Sequence, residues 1–502
     1  LADKIAIAGI LDQLGVGFIE GGWPGSNPKD EAFFLEMRKA STRRARIAAF
    51  GSTRRAKLPA EEDPNLRKLV ESGADVCTIF GKSWTMHVTE ALRIPLEENL
   101  VLVRDSVAFL KARTGKPVFF DAEHFFDGYK ADAGYALSAL EAALAGGAER
   151  LVLCDTNGGS LPHEVGAAVA AVRARLPQAV LGIHAHNDGG LAVANSLEAL
   201  RAGCVQVQGT MNGIGERCGN ADLVAVMANA QLKMGLTALP GGLAKLTETS
   251  REIWERLNVA PPSGQPFTGP AAFAHKGGVH VSAVQRNSAT YEHVAPETVG
   301  NTRRILISEL SGRSNLVARL ADRYPQLRDE AIIAAVLNEI QDREHEGYAY
   351  EAADASFELL VRRRLGAWKE PFELVYYRVH GLGTAAGRTE LVEATVKVRV
   401  AGETRLCVAE GHGPVDALSH ALRQALEEAC PFLADLHLVD FKVRVVNSKD
   451  GTAAKVRVLI DHLFHHERFG TVGVSENIIE ASWRALVEAI GFATLRQEAR
   501  PA

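Results

Sequence analysis

The chain has 502 residues, 47% hydrophobic and 23% charged, the composition of a globular protein. Long disordered segments are excluded, and no apolar run approaches the ~18 residues of a membrane helix. Lys and Arg total 56 against 61 Asp and Glu, for a formal net charge of -5. That balance argues against a broad nucleic-acid surface, and the run Arg362-Arg363-Arg364 reads as a solvated face. At ~150 residues per domain roughly three domains are expected, although one (β/α) barrel can absorb ~250. The cysteines Cys77, Cys154, Cys204, Cys218, Cys407 and Cys430 are scattered, with no Cys-x-x-Cys pair. Neither a disulfide framework nor a zinc knuckle is indicated, and a reducing cytoplasm is the expected compartment.

The chain opens on a helical pattern at Leu1–Leu11, with no secretory signal pattern. Seven β-rich runs then alternate with amphipathic stretches such as Ala133–Ala145 and Leu191–Ala202. The runs are Gly17–Gly22, Arg46–Gly51, Asp75–Gly81, Pro117–Glu123, Arg150–Asn157, Leu181–Asp188 and Cys204–Gly213. Repeated βα units with buried-looking strands predict a parallel sheet. Seven strands after an unpaired helix predict an α/β fold, a (β/α)8 TIM barrel whose first strand is missing and lies upstream of residue 1. A doubly wound open sheet is the alternative; no Gly-x-Gly-x-x-Gly follows an early strand to support it.

The barrel is expected over 1–262. Residues 263–370 read as helical linker subdomains, opened by the Pro261-Pro262-Ser263-Gly264 break, with helices near Ser314–Tyr324 and Asp329–Glu344. From 371 to 502 a β-β-β-α pattern occurs twice and predicts an α+β module for dimerisation or regulation. Its first copy is Phe372–His380, Thr389–Val400, Glu403–Glu410 and the helix Gly413–Glu428. The second is Leu436–Asn447, Thr452–Asp461, Gly470–Val474 and the helix Glu476–Ile490.

Active sites of such barrels lie at the C-terminal strand ends. His184 and His186 are two apart on a strand, so both side chains point to one side, and imidazole suits divalent transition metals. A hydrogen-bonded polar pair is the bland alternative. The next strand end carries Gly215-Glu216-Arg217-Cys218-Gly219-Asn220, where Asn220 can present an amide oxygen beside the histidines. Glu216 and Arg217 read either as site residues or as a surface ion pair. Glu123 and His124 close one strand, Thr156 and Asn157 another, and Trp23-Pro24-Gly25-Ser26-Asn27-Pro28 follows the first. Singly, each fits turn chemistry; their convergence at strand ends points to a site.

Three stretches resemble the citramalate synthases, a family grouped with the 2-isopropylmalate and homocitrate synthases: Ile19 to Asp30, His184-Ala185-His186-Asn187-Asp188, and Gly215 to Ala221. Leu436–Arg444 and Gly473–Ser482 resemble that group's C-terminal regulatory domain. The resemblance implies condensation of acetyl-CoA with pyruvate, then thioester hydrolysis. It implies a divalent cation (Mn, Mg, Co or Zn) on His184 and His186 with Asn220 at or near it. Thr156, Asn157, Glu20 and Asn212 would bind substrate, and Glu123, His280 and Tyr291 would move protons. It further implies a homodimer, with isoleucine as feedback inhibitor at the C-terminal module.

The family's first strand carries an Asp-Thr-Thr-Leu-Arg-Asp-Gly type motif, and no such motif occurs in these residues. The expectation is an N-terminally truncated form of a complete enzyme; a native mass without added N-terminal residues overturns it. If these 502 residues are the whole product, weak metal binding and little activity are expected. The alternatives are an isopropylmalate or homocitrate synthase acting on a larger oxo acid, a lyase of the same metal-dependent barrel superfamily, and an inert amino-acid-binding protein.

Overall fold

The computed structural model describes all residues except 40–43, 276–277, 306–323, 382–391, 448–450, 452 and 500–502. It divides into two units: Leu1–Phe273 with Val294–Thr302, and Ala274–His293 with Arg303–Ala502.

In the first unit β1 (Phe18–Glu20), β2 (Arg46–Ser52), β3 (Val76–Lys82), β4 (Val118–Glu123), β5 (Arg150–Asp155), β6 (Leu181–Ala185) and β7 (Gln206–Gln208) form one sheet in strictly sequential order. Every pairing is parallel. This is barrel-type order, and it removes the doubly wound alternative, whose strand order reverses at a switch point. The sequence runs predict all seven strands, and the sheet's outer members are β1 and β7. Strands β3 to β6 are buried almost throughout; parallel strands covered by helices are apolar on both faces for this reason.

The turns that open the helices repeat one device, an Asn or Asp that accepts a backbone N–H from the first helical turn. Asn27 caps Pro28–Met37, Asp63 caps Pro64–Ser72, Asp132 caps Ala133–Ala145 and Asp222 caps Leu223–Lys233. Two of these helices begin with proline, whose missing N–H costs nothing there. The core joins Ile47, Ile79, Phe120, Leu151 and Ile183 on the strands to Leu69, Val107, Leu140 and Val169 on the helices.

In the second unit β8 (Ala274–His275) and β9 (Arg304–Ile305) form a short parallel pair. Of the expected linker helices, Ser314–Tyr324 lies outside the described residues apart from Tyr324. The other is present as Glu330–Glu346, capped by Asp329. A further helix, Asp354–Arg364, falls in the stretch read from sequence as linker. Its Ala355 and Leu359 share a core with Phe372, Trp483 and Phe492.

The duplicated pattern is realised as two antiparallel three-stranded sheets. One holds β10 (Glu373–His380), β11 (Val392–Val400) and β12 (Glu403–Gly411), followed by the helix Pro414–Leu426. The other holds β13 (Leu436–Val445), β14 (Val456–Phe464) and β15 (Glu467–Ser475), followed by Ile478–Glu498. Ala394, Val396, Val398 and Val400 alternate along β11 to pack on Ala417, Leu418 and Ala421.

Phe120 on β4 is fully buried, and its ring fills the space that the absent side chain of Gly81 leaves on β3. Phe120→Ala is expected to cost ~3–5 kcal/mol, read as a lower urea midpoint of the barrel unit's unfolding transition.

Candidate active site

The C-terminal ends of β3 to β7 meet at one rim. Parallel pairing sets His184 in register with both Cys154 and Gln208, and Lys82 with Glu123. His184 and His186 face one another with their Nε2 atoms 3.2 Å apart. Gln208 Oε1 stands 3.0 Å from His184 Nδ1, and Gln208 Nε2 donates to Asp121 Oδ1 at 3.0 Å. An amide oxygen only accepts, so His184 carries its proton on Nδ1 and turns the Nε2 lone pair toward His186. Burial holds the pKa of His184 down to about 4 and lowers that of His186 as well. Both rings are therefore neutral at pH 7, the form that ligates metal.

The donor set fits a divalent cation in part. His184 and His186, with their Nε2 atoms on one side of the strand, are the two residues that would hold such a cation. His186 Nδ1 is buried without a hydrogen-bond partner. Asn220 pairs with His186 through a backbone bridge, and its amide nitrogen donates to Ile214 O at 3.4 Å. Among the described residues no third His, Cys, Asp or Glu completes a metal cluster.

The loop that carries Asn220 is drawn tight at Gly219. Its φ is 91°, and a Cβ there would sit 2.0 Å from Gly213 O, so only glycine fits. Arg217 on this loop forks onto Asp188 at 2.8 and 2.9 Å and donates to Thr156 O at 2.8 Å. Its separation from Glu216 is 4.0 Å, so Asp188, rather than the neighbouring Glu216, is its main partner.

At the β4 end Glu123 is ion-paired with Lys82. Thr156 Oγ1 accepts the backbone N–H of His124 at 2.9 Å, which leaves its own hydroxyl proton free to donate. Asn157 donates to Asp127 at 3.0 Å. Asn212 is engaged at both ends of its amide: Nδ2 donates to Ser250 O, and Oδ1 accepts from Ser250 Oγ and Gln265 Nε2. Glu20 is exposed by area, yet protein crowds its carboxyl and pushes its pKa up to about 7, with Lys4 pulling the other way. The same burial, with Glu20 nearby, raises Asp121 well above the carboxylate range. His280 and Tyr291 belong to the second unit, where their rings stack with centroids 4.2 Å apart.

Sequence reasoning missed Asp121, Gln208 and Lys82. A polar pair flanking Val207 in Gln206-Val207-Gln208 and a lone Asp in Phe119-Phe120-Asp121-Ala122 were the available signals.

The chain matches the HMGL-like family over residues 1–253, the homocitrate synthase post-HMGL domain-like family over 267–346, and the LeuA allosteric (dimerisation) domain over 351–494. Fold and site thus define an HMGL-like barrel protein with a LeuA-type C-terminal domain. It is 50% identical to the (R)-citramalate synthase of Geobacter sulfurreducens, covering 99% of this chain and 94% of that one. Identity to the (R)-citramalate synthase of Aquifex aeolicus is 49%, with the same coverage. A 2-isopropylmalate synthase of Methylorubrum populi is 30% identical, over 98% of this chain and 91% of its own. The chain belongs to the citramalate synthase family.

The raised pKa of Glu20 has a stability consequence. Between about pH 4.5 and 7 the folded chain holds a proton that the unfolded chain has lost, so this group makes stability fall as pH rises through that window. Glu20→Gln cannot ionise. Thermal melts are expected to show a gain in Tm over the parent at pH 8 that shrinks at pH 5.

Proposed function

We propose that this chain condenses acetyl-CoA with pyruvate and hydrolyses the resulting thioester to (R)-citramalate and coenzyme A. The observation that carries the reading is the convergence of His184 and His186 at one strand-end rim, in a chain half identical to named citramalate synthases along its whole length. A divalent cation held by the two imidazoles, with Asn220 beside them, supplies polarisation of the keto carbonyl when bound. Thr156 has a hydroxyl proton for the keto-acid carboxylate, because its oxygen already accepts from His124. Glu123, pinned by Lys82 at the end of β4, assists removal of the acetyl methyl proton, and the resulting carbon attacks the keto carbon. His280 and Tyr291, stacked on one another, serve as the acid–base pair of the condensation step.

The C-terminal module supports a homodimer. Phe441, Val443 and Val445 on β13 stand opposite Ile460, Val458 and Val456 on β14 and so share their face. On β14 the helix Ile478–Glu498 helps bury Ile460 and Val458. On β13 the same face is open, with Phe441 36% and Val445 58% exposed. A stripe of core-type side chains left open in this way fits a second copy. Isoleucine is the proposed effector of this module, acting by preferential binding to a less active state. The cytoplasm is the proposed location, consistent with six free cysteines; among the described residues no helix is long and apolar enough to cross a membrane.

Thiol release from acetyl-CoA is the direct test. Pyruvate is expected to support release well above 2-oxoisovalerate or 2-oxoglutarate with Mn²⁺ present; preference for either larger acid overturns the assignment. Isoleucine is expected to lower the initial rate. Phe441→Asp is expected to halve the mass seen by light scattering at micromolar concentration.

A further inference from the structure

A histidine–carboxylate pair at the end of β4 has no part in the scheme above. His124 follows Glu123, and its backbone lies in the left-handed region at φ 55°, an uncommon conformation for a residue other than glycine that often marks functional sites. Its Nδ1 lies 3.3 Å from Asp127 Oδ2. Asn157 donates to that same oxygen, which fixes the carboxylate from the β5 side. A carboxylate against Nδ1 keeps the proton there and leaves Nε2 to accept one, the orienting role that such a carboxylate plays for a catalytic histidine. The His87 ring meets the His124 ring near edge-on with centroids 4.2 Å apart, and Trp84 lies 5.8 Å away on the same side. His87 opens a single π-helical turn, His87–Leu92, a distortion that recurs at functional sites. Burial, reinforced by His124 and Lys82, lowers the pKa of His87, so the wall beside His124 is an uncharged ring.

The pair also adjoins residues assigned to the reaction. The backbone N–H of His124 is bonded to Thr156 Oγ1, and its neighbour in sequence is Glu123. The assigned reaction has two halves. Condensation needs a base for the methyl proton, and Glu123 fills that role. Hydrolysis needs a base for water and a proton for the departing sulfur.

We propose that His124, aligned by Asp127, is the base of the hydrolytic half-reaction; the proposal rests on the reaction assigned above. Water adds to the thioester carbonyl while His124 Nε2 accepts its proton. The tetrahedral intermediate collapses, the C–S bond breaks, and the imidazolium returns the proton to the coenzyme A thiolate. One water is consumed, a carboxylic acid and a thiol are formed, and no redox partner is required.

The test follows the thioester of the condensation product by mass spectrometry in the full chain, with Mn²⁺, acetyl-CoA and pyruvate. His124→Asn suits the purpose because asparagine tolerates the left-handed backbone. It is expected to slow hydrolysis of that thioester about 100-fold while condensation continues, so that the thioester accumulates. Asp127→Asn is expected to shift the same partition in the same direction by a smaller factor. Parent-like hydrolysis by His124→Asn, or equal loss of both halves, overturns the proposal. A parent chain that releases thiol only with another oxo acid overturns the pyruvate assignment instead, and the His124 partition is then read on that acid's thioester.

Discussion

Two imidazole Nε2 atoms can rest 3.2 Å apart only because one carries a hydrogen that the other accepts. His184 is the acceptor of that bond because its own proton stays on Nδ1, donated in a hydrogen bond to Gln208 Oε1, and Asp121 holds Gln208 in turn. A hydrogen bond from His186 Nε2–H to His184 Nε2 joins the pair, and burial holds both rings neutral. The rest of the site is arranged about that pair. Thr156 and Glu123 stand on the two preceding strands, and the Gly219 turn draws Asn220 alongside His186. The parallel sheet makes this possible, because its strands all end on one side.

Much of this was legible in the residues. Alternating βα runs located all seven strands, since a strand covered on both faces has to be apolar along its whole length. His-x-His located the pair, since a period of two puts both rings on one face. The dyad behind it was not legible. Asp121 and Gln208 are 87 positions apart in sequence, and only the register of the intervening strands brings them together. Lys82 was hidden for the same reason, being the register partner of Glu123. Asn212 illustrates the converse. Its position at a strand end invited a substrate role, but its amide is taken up by Ser250 and Gln265, on a helix and a loop that no local pattern connects to it.

The C-terminal module shows how far internal repetition carries. Both copies fold as three antiparallel strands and a helix, yet they are not equivalent. The first strand of one copy, β10, packs Tyr377 and Val379 against the core, whereas its counterpart β13 leaves Phe441, Val443 and Val445 exposed. Repetition in sequence predicts the shape of each half. Which half keeps an open face depends on where the helices lie, and hydropathy alone does not encode that.

The strictly sequential strand order also bears on how the chain is made. Each barrel strand needs only the strand synthesised just before it as a template. The sheet can therefore lengthen as the polypeptide leaves the ribosome, without waiting for distant partners. His184 gains Gln208 only when β7 is laid down, so the tautomer that readies the imidazole pair is among the last features of the barrel sheet to be set.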